Sequence, residues 1–534
     1  MSSATTLAGA AAKPGPGAGP WVVTILVAFA SFMEVLDTTV ANVALPYVAG
    51  GLGVSADEAS WVVTTYLVSN AVSLTASGFL AKRFGRKNFF IACLILFTIS
   101  SVLCGFAPNL QMLLLFRVMQ GLGGGGMVPV SQSIVADSFP PEKVGQGFAV
   151  WGIAVVVAPV VGPTLGGWIS DNFAWQWCFL INGPIGVVAV LLSWAILRES
   201  AAAVDERTRF LREGNRLDVG GFVLVATFLG MLEIVLDRGL IEDWFASSFI
   251  VAVSALCALA FALMIPWELS RRSPMIDLRM VATRQFSASL LIMLALGAML
   301  LSTTQFIPQL VQQQLGYTAT LSGLVLSPGG LVTIVMMPIA GRLSTKVQPR
   351  YLIALGAASC AVSMYQMSRL TPDIGFWFLA FTRIFLTVGI PLIFIPVTVA
   401  AYEGIPREKT DQASSLVNAA RNIGGSIGIS LANNVLAHRE QFHQSRLVEL
   451  VNPAATQYQE TLKQVTDYFV SHGASLVQAQ QQAIAWIGQQ IQTQAAFLSY
   501  IDVFWILMLV AVAAVPLALT LRKVKLGGAA PMGH

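Results

Sequence analysis

Charged side chains are scarce in this chain: Asp, Glu, Lys and Arg make up only 11% of its 534 residues, and there are four histidines. Soluble globular domains carry about a quarter charged residues, so this scarcity excludes the soluble globular class. Cysteine is also rare, and the five cysteines show neither metal-ligand spacing nor a paired extracellular framework. We expect them to be small core residues.

Recognisable catalytic motifs are missing as well. The sequence contains no nucleophile elbow, no Walker loop and no metal-ligand cluster, which argues against an enzyme and against ATP hydrolysis within this chain. The run GLGGGG from Gly121 fits the dinucleotide fingerprint, but it lies in an apolar helix and follows no strand. We assign it to close helix packing, and we expect no cofactor and no metal. The N-terminal residues lack the basic region and cleavage site of a signal peptide, so the first apolar segment should stay as a helix.

Long hydrophobic runs are what the chain has in abundance. Hydrophobic residues make up 55% of it, and about fourteen runs reach the length of about 18 residues that a membrane-spanning helix needs. These runs lie near residues 21–46, 59–80, 88–107, 110–136, 145–169, 177–197, 218–236, 246–267, 286–311, 320–341, 351–369, 375–401, 412–436 and 498–521. The fold class we predict is therefore an all-α polytopic membrane protein.

Basic residues mark one side of this membrane protein. Lysines and arginines concentrate in alternate connections, whereas the other connections are nearly bare. Because cytoplasmic loops retain Lys and Arg, we predict that both termini are cytoplasmic, which requires an even number of helices. The net charge of +4 then reports topology and not nucleic-acid binding.

Similar sequence features recur about 260 residues apart. FRVMQG around Arg117 is echoed by FTRIFLTVG around Arg383, and GPTLGG at Gly162 by RNIGGSIG near Gly424. Parallel repeats of this kind build the two halves of many secondary transporters around a central site, although chance similarity of apolar sequence is an alternative. The two runs between 218 and 267 have no counterpart and look like an insertion.

These observations divide the chain into segments. We predict a disordered cytoplasmic tail (1–20), a six-helix half (21–200), a cytoplasmic loop (201–217), two inserted helices (218–270), the first five helices of the second half (271–436), a loop on the opposite side (437–497), the last helix (498–521) and a cytoplasmic tail (522–534).

Ionisable residues inside the apolar runs are the candidate functional residues. Glu34 and Asp37 lie three residues apart in FMEVLDTTVANVALP, on one helix face, and Arg117 is a natural partner for Asp37. Such charges are costly in a bilayer and face water or a partner. We predict that Asp37, Glu34 and Arg117 form a functional site; a purely structural ion pair is the alternative. The predicted substrate cavity is lined by Glu34, Asp37, Asn42, Gln120, Arg383 and Asn418.

Two motifs indicate moving parts. VVVAPVVGPTLGGW combines proline kinks with a small face suited to a helix that rocks against another, and GFLAKRFGRK is a glycine-framed basic turn with a predicted gating role. Proline kinks in a static bundle and topology alone are the respective alternatives. The residues concerned are Pro159, Gly162, Pro163, Gly166 and Gly167 in the first motif, and Gly78, Lys82, Arg83, Gly85 and Arg86 in the second.

The connection at 437–497 is unusually long and rich in Gln. Its apolar residues Leu476, Ile484, Ile487 and Ile491 have roughly helical spacing. A structureless loop of this length is uncommon, so we expect amphipathic helices that pack on the transporter itself or dock a partner.

Taken together, these motifs resemble the major facilitator superfamily, and within it the fourteen-helix drug:proton antiporters. The resemblance covers nearly the whole chain and rests on LDTTVANVALP (36–46), GFLAKRFGRK (78–87), RVMQG (117–121), APVVGPTLGG (158–167), WQWCFLINGPIG (175–186), LDRG (236–239) and the long loop. One departure is Lys82, where the superfamily usually has an acid.

The resemblance implies a fold of two six-helix halves plus two extra helices, and export of diverse hydrophobic or amphipathic toxic compounds from the bacterial inner membrane, driven by the proton gradient. It implies that Asp37 is the embedded acid of the first helix and Arg117 the fourth-helix arginine tied to proton coupling. Gly162, Pro163 and Gly167 then form the antiporter motif of the fifth helix. The long loop implies a periplasmic membrane-fusion adaptor and an outer-membrane channel as partners. Proton-coupled transport of a single metabolite, a passive channel and a membrane enzyme are the alternatives.

Overall fold

The structure is a computed structural model that describes residues 19–524 except 141–142, 214–216, 272–273, 407–408 and 453. Within these residues the chain forms eighteen α-helices and one short 3-10 helix, with no strand. The predicted disorder of the two tails concerns residues that lie almost entirely outside the described ranges. The all-α fold class is confirmed.

The first half consists of seven helices, two of which form one interrupted span. They are α1 (Pro20–Leu52), α2 (Ala56–Phe84), α3 (Arg86–Gly105), α4 (Leu110–Ser138), α5 (Val144–Asn172), α6 (Trp177–Leu180) and α7 (Asn182–Ile196). A polar helix, α8 (Ala201–Arg212), follows within the segment that the sequence predicted as a loop.

The inserted pair is α9 (Val219–Arg238) and α10 (Ser248–Ser270), in the places that the sequence indicated. The second half follows, with α11 (Leu278–Val281), α12 (Arg284–Gln313), α13 (Ala319–Leu343), α14 (Pro349–Met367), α15 (Phe376–Tyr402), α16 (Thr410–Leu450), α17 (Thr456–Ser471) and α18 (Leu476–Leu519).

The helix count agrees with the predicted apolar runs. In the described part of the chain, 11 helices are long and apolar enough to cross a membrane on length and composition, with α6 and α7 taken as one. The other three, α2, α14 and α16, are long enough but less apolar. They coincide with predicted runs, so about fourteen spans remain compatible with the structure.

The connection between α2 and α3 defines one end of the helix bundle, which we call the basic end. Gly85 there has φ +90°, and a Cβ atom at this position would come within 1.9 Å of the Glu199 carboxylate, so a side chain would meet both backbone strain and a clash. At the opposite end, the loop end, Ser55 and Glu58 form a reciprocal capping box that starts α2.

The two halves contact each other at the basic end. Ser77 of α2 and Ser415 of α16 are within hydrogen-bond distance at 3.2 Å, and Trp151 of α5 stacks on Phe394 of α15 with ring centroids 6.2 Å apart. Helices α5 and α13 also pack closely, because a Cβ atom on Gly323 would lie only 2.3 Å from the Thr164 Cα.

The long loop differs from the boundaries that the sequence suggested. Helix α16 continues to Leu450 and α18 begins at Leu476, so both membrane helices project beyond residues 436 and 498 where the apolar runs stop. Asp502 of α18 joins them by accepting hydrogen bonds from Arg439 at 2.5 Å and pairing with His443 at 2.8 Å. The projection is therefore a cross-linked helical structure in which α17 packs against α18.

Candidate functional site

A buried ion pair lies at the centre of the first half. Arg117, the eighth residue of α4, is 0% exposed, and its Nη1 donates to the Asp37 Oδ2 at 2.6 Å. Its Nε donates to the Val62 carbonyl at 2.9 Å, and its Nη1 also donates to the Gln120 Oε1 at 2.7 Å. The guanidinium carbon lies 4.3 Å from the centre of the Tyr66 ring. Arg117 is thus held by a fork of hydrogen bonds and an aromatic face.

Asp37 accepts from three donors in all. Besides Arg117, the Gln120 Nε2 donates to its Oδ1 at 2.9 Å and the Asn182 Nδ2 donates to the same atom at 2.7 Å. Asn182, the first residue of α7, donates in turn to the Ser101 Oγ at 3.0 Å. These bonds offset the cost of burying a carboxylate that is 2% exposed. Protonation of Asp37 would release Arg117 from its charged partner.

Glu34 has a separate set of partners, although it lies one turn from Asp37 on α1. Its Oε1 accepts from the Tyr66 hydroxyl at 2.9 Å and from the Asn70 Nδ2 at 3.0 Å. The side chain is 7% exposed. Gly124 of α4 makes room for this group, because a Cβ atom there would lie 2.7 Å from the Tyr66 hydroxyl and 3.3 Å from the Glu34 Cγ.

A cation from the second half faces Glu34. Arg421 of α16 attracts the Glu34 carboxylate electrostatically, but the two do not form an ion pair within 4.0 Å among the described residues. The Nη1 of Arg421 has no hydrogen-bond partner, and its Nη2 reaches only the neighbouring Asn422 at 3.5 Å. Glu34 and Arg421 are therefore buried opposite charges on opposite halves of the molecule that attract each other without direct contact.

The other predicted cavity residues lie elsewhere. Arg383 is buried in the second half and donates to the Thr304 Oγ1 at 3.4 Å. Asn418 donates to the Gln132 Oε1 at 2.7 Å, at the contact between the halves. Asn42 is exposed on α1, beyond Asp37 toward the loop end. The structure does not bring these three residues to the Asp37 cluster, and their role in a substrate cavity stays a prediction.

The glycines of α5 provide close helix contacts on the face predicted to be smooth. A Cβ atom on Gly162 would lie 1.9 Å from the Thr39 Oγ1, and one on Gly166 would lie 3.1 Å from the Val40 Cα. Pro159, Pro163 and Gly167 are buried in the same helix. Helix α5 therefore packs on α1, which carries both acids, and on α13 of the second half.

The basic turn forms an ion-pair cluster with acids from distant segments. Lys82 pairs with Glu206 of α8 at 3.1 Å, and Arg86 pairs with Glu206 at 3.2 Å and also with Asp137 of α4. The departure at Lys82 is thus accommodated by an acid from the connecting helix. Gly78 and Lys82 line a cavity of about 380 Å³ that also borders α16. The Arg83 carbonyl accepts from Arg207 at 3.2 Å, which ties α8 to the same turn.

Three residues of the site were missed by sequence reasoning: Tyr66, Asn70 and Asn182. Each is an uncharged polar residue in a membrane-length run, and its orientation depends on tertiary packing. Only Asn182 carried a signal, because it lies in the WQWCFLINGPIG stretch.

Comparison with known families gives an independent result. The sequence model described as "Major Facilitator Superfamily" matches residues 27–429. The chain is 38% identical to the "Multidrug export protein EmrB" of Escherichia coli (strain K12) over 499 residues, covering 92% of this chain and 93% of that protein. It is 36% identical to the "Fatty acid resistance protein FarB" of Neisseria gonorrhoeae over 464 residues, covering 87% and 90%.

Solved structures show the same fold. The proton:xylose symporter XylE aligns with a TM-score of 0.57 at 12% identity, covering 96% of this chain and 97% of that one. A bacterial homolog of the human lysosomal transporter Spinster, in an inward-facing and occupied conformation, aligns with a TM-score of 0.56 at 16% identity, covering 95% and 100%.

Proposed function

The chain belongs to the Major Facilitator Superfamily, and we propose that it exports structurally diverse hydrophobic or amphipathic toxic compounds in exchange for protons. The observation that carries this proposal is the buried Asp37–Arg117 pair with its hydrogen bonds from Gln120 and Asn182. The negative charge of a carboxylate so placed can be balanced by a cation partner or removed by a proton, so the group can alternate between the two states. The extensive likeness to multidrug exporters supports drug-like compounds as the substrates.

Coupling follows from what each ligand does to the two halves. A proton on Asp37 weakens the hold of α1 on Arg117, and a proton on Glu34 removes its attraction to Arg421 of the second half. A cationic compound between Glu34 and Arg421 would favour the ionised form of Glu34. Proton and compound then bias the two conformations in opposite directions, and this difference in affinity is what couples their movements.

We place the basic end in the cytoplasm of a bacterium and the chain in its inner membrane, with both termini cytoplasmic. The basic connections support this orientation. The loop end and the projection of α16, α17 and α18 then lie in the periplasm.

The projection is the proposed docking surface for an EmrA-like membrane-fusion adaptor, which would continue to a TolC-like outer-membrane channel. Several of its apolar residues are exposed, among them Leu476 at 63%, Ile484 at 54% and Tyr468 at 58%. Ile487 and Ile491 are partly buried, while the small residues Ala479 and Ala483 make the close helix contacts. Exposed apolar residues of this kind in a region rich in Gln suit an uncharged protein contact.

Replacing residues 437–497, which include Tyr468, Leu476 and Ile484, with a Gly/Ser linker that spans the same helix ends tests the docking surface. We expect compound-driven proton flux in isolated vesicles to persist, while resistance of double-membraned cells and copurification of the adaptor are lost. Survival of both resistance and copurification would contradict the proposal, and loss of vesicle flux would make the projection a structural part of the transporter.

Everted membrane vesicles test the export function itself. With a preformed pH gradient reported by a quenched fluorescent amine, an antiporter gives dequenching when its compound is added. A passive channel, an importer of a single metabolite or an enzyme gives none, so absence of dequenching across a panel of compounds to which the protein confers resistance would overturn proton exchange.

A further inference from the structure

Two acids on the inserted helix α9 face the transporter and not the lipid. Glu233 is 5% exposed, and its Oε1 accepts from the Ser426 Oγ of α16 at 2.5 Å. Asp237, one turn later on the same face, accepts from the Thr64 Oγ1 of α2. Helix α9 thus holds one carboxylate against each half of the molecule.

The two acids differ in their electrostatic surroundings. Asp237 has the adjacent Arg238, which attracts it. Glu233 has no ion-pair partner in the part of the chain that the structure describes, and Ser426 is its one hydrogen-bond donor there. A buried carboxylate without a cation is costly, and this cost disappears when the group takes up a proton.

No other charged group lies at the depth of Glu233 on the helices packed against α9. The charged residues of α2 are in its first turn, Asp57 and Glu58, and its last turn, Lys82 and Arg83. Helix α10 has Glu268 alone, near the basic end, where it accepts from the Ile276 amide. On α16, Arg421 lies more than one turn from Ser426 toward the basic end. The immediate charged neighbours of Glu233 are therefore Asp237 and Arg238 of its own helix.

We propose that Glu233 is a second proton-binding site of this transporter, controlled by the position of α16. In the present conformation Ser426 donates a hydrogen bond to the Glu233 carboxylate and stabilises its ionised form. Movement of α16 away from α9 removes this donor, and Glu233 then takes up a proton. The inserted pair would in this way bind a coupling proton besides holding the two halves. This inference rests on the proposed proton-driven export.

The number of protons exchanged per molecule of compound determines the largest concentration ratio of compound that a given pH difference can maintain. Purified protein is reconstituted in liposomes with a pH difference of one unit and the membrane potential clamped at zero, and the steady-state accumulation ratio of ethidium is measured. Each coupled proton supports about a tenfold gradient per pH unit. We expect Glu233→Gln to lower the limiting ratio about tenfold relative to the unmodified protein.

Two matched variants separate proton binding from packing. Asp237→Asn changes the neighbouring acid and should leave the limiting ratio unchanged even where the initial rate falls. Ser426→Ala keeps Glu233 but removes the donor that controls its protonation, so it should lower the limiting ratio as Glu233→Gln does. An unchanged ratio in Glu233→Gln would overturn the second proton site while leaving proton-driven export intact. Failure of the unmodified protein to form any gradient would instead overturn the proposed function and this inference together.

A chemical probe gives an answer that requires no variant. Dicyclohexylcarbodiimide reacts with protonated carboxyl groups in apolar surroundings, and mass spectrometry identifies the labelled peptide. We expect labelling of Glu233 that decreases as the pH rises and changes on addition of ethidium. Labelling that is absent at all pH values, or independent of pH, would contradict the proposal.

Discussion

Arg117 and Arg383 occupy matching places in the two halves, each seven residues after the first residue of its helix, but their surroundings differ. Arg117 pairs with Asp37 at 2.6 Å, whereas Arg383 reaches only the Thr304 hydroxyl at 3.4 Å, and its Nε and Nη1 lack partners. The first half also holds Glu34, and the second half presents Arg421 toward it. Both halves therefore have an arginine at this position, but only the first half pairs it with a carboxylate; among the described residues, Arg383 and Arg421 of the second half have no acid within ion-pair distance.

The largest effect should come from removing the acid of the first half. Asp37→Asn fits the same space but carries no proton, so we expect resistance to fall to that of cells without the transporter while the protein still inserts. Drug susceptibility in an efflux-deficient host, with the membrane level checked by immunoblot, measures this. Thr304→Asn, the matched change beside Arg383, should retain most resistance. An equal loss of resistance in both variants would contradict the claim that the arginine sites of the two halves differ in function.

The next effect should come from changing the two arginines to lysine. Lysine cannot reproduce the fork that joins Asp37, Val62 and Gln120, and loss of charge-assisted hydrogen bonds worth about 1.5–3 kcal/mol lowers transport about 10-fold to 100-fold. Arg383→Lys loses one long hydrogen bond and should change initial transport rates only a few-fold. Normal transport rates in Arg117→Lys would show that Arg117 acts only through its positive charge and not through its hydrogen bonds.

A smaller and compound-dependent effect is expected for Glu34→Gln. The amide keeps hydrogen-bonding capacity toward Tyr66 and Asn70 but loses the negative charge that faces Arg421. Export of cationic compounds should fall about fivefold, the size of a modest coupling energy, with little change for neutral ones. Comparing transport rates for a cationic and a neutral compound checks this, and an equal loss for both would remove Glu34 from charge selection.

Asn182→Ala should have an effect of similar size for all compounds, because Asp37 keeps two of its three donors. Loss of one hydrogen bond worth about 0.5–1.5 kcal/mol corresponds to a twofold to tenfold decrease in the transport rate. Ser101→Ala, which removes the group that accepts from Asn182, is the matched control and should have a smaller effect. A larger effect in the control would mean that Asn182 acts through packing.

The smallest effect concerns the basic end of the second half, where Lys409 pairs with Asp277. Burial by itself would raise the pKa of Asp277, but the hydrogen bond and charge of Lys409, with backbone amides, outweigh it and hold the pKa below its usual value. The stabilisation is present above the ordinary Asp pKa and is lost as the pH falls through the lowered one. Because Lys409 is half-exposed, Lys409→Met should cost at most about 1 kcal/mol at neutral pH and less in acid, measured by thermal unfolding. A cost that grows as the pH falls would contradict this assignment.

The sequence predicted the parts of the site that carry charge. Asp37 and Arg117 stood out because ionisable residues are rare in apolar runs, and the repeat around Arg383 located the matching position. Tyr66, Asn70 and Asn182 could not be found in this way, because whether one polar side chain on a helix faces a carboxylate or another helix depends on packing. Helices α9 and α10 lie at the two apolar runs that the sequence indicated. The sequence could not predict that Glu233 and Asp237 face the other helices, because an almost uniformly apolar run has no periodic pattern that distinguishes its buried face.

The end of one helix near residue 436 was set too early, and the start of the next helix near residue 498 was set too late, for a related reason. Apolar periodicity shows where a helix crosses the membrane, whereas helix α16 and helix α18 continue into water through polar and Gln-rich sequence. Their continuation depends on contacts between the two helices, such as those of Asp502 with Arg439 and His443.

The role of Asp37 is tested most directly by comparing two assays on the same variant: compound exchange at equal pH, and compound accumulation driven by a pH difference. In proteoliposomes that contain Asp37→Asn, compound exchange across the membrane at equal pH should persist, because it needs no change in protonation, while the accumulation driven by a pH difference should fall at least about tenfold per pH unit. Accumulation driven by the pH difference at the unmodified level would contradict the account, because the coupling proton would then lie on another group.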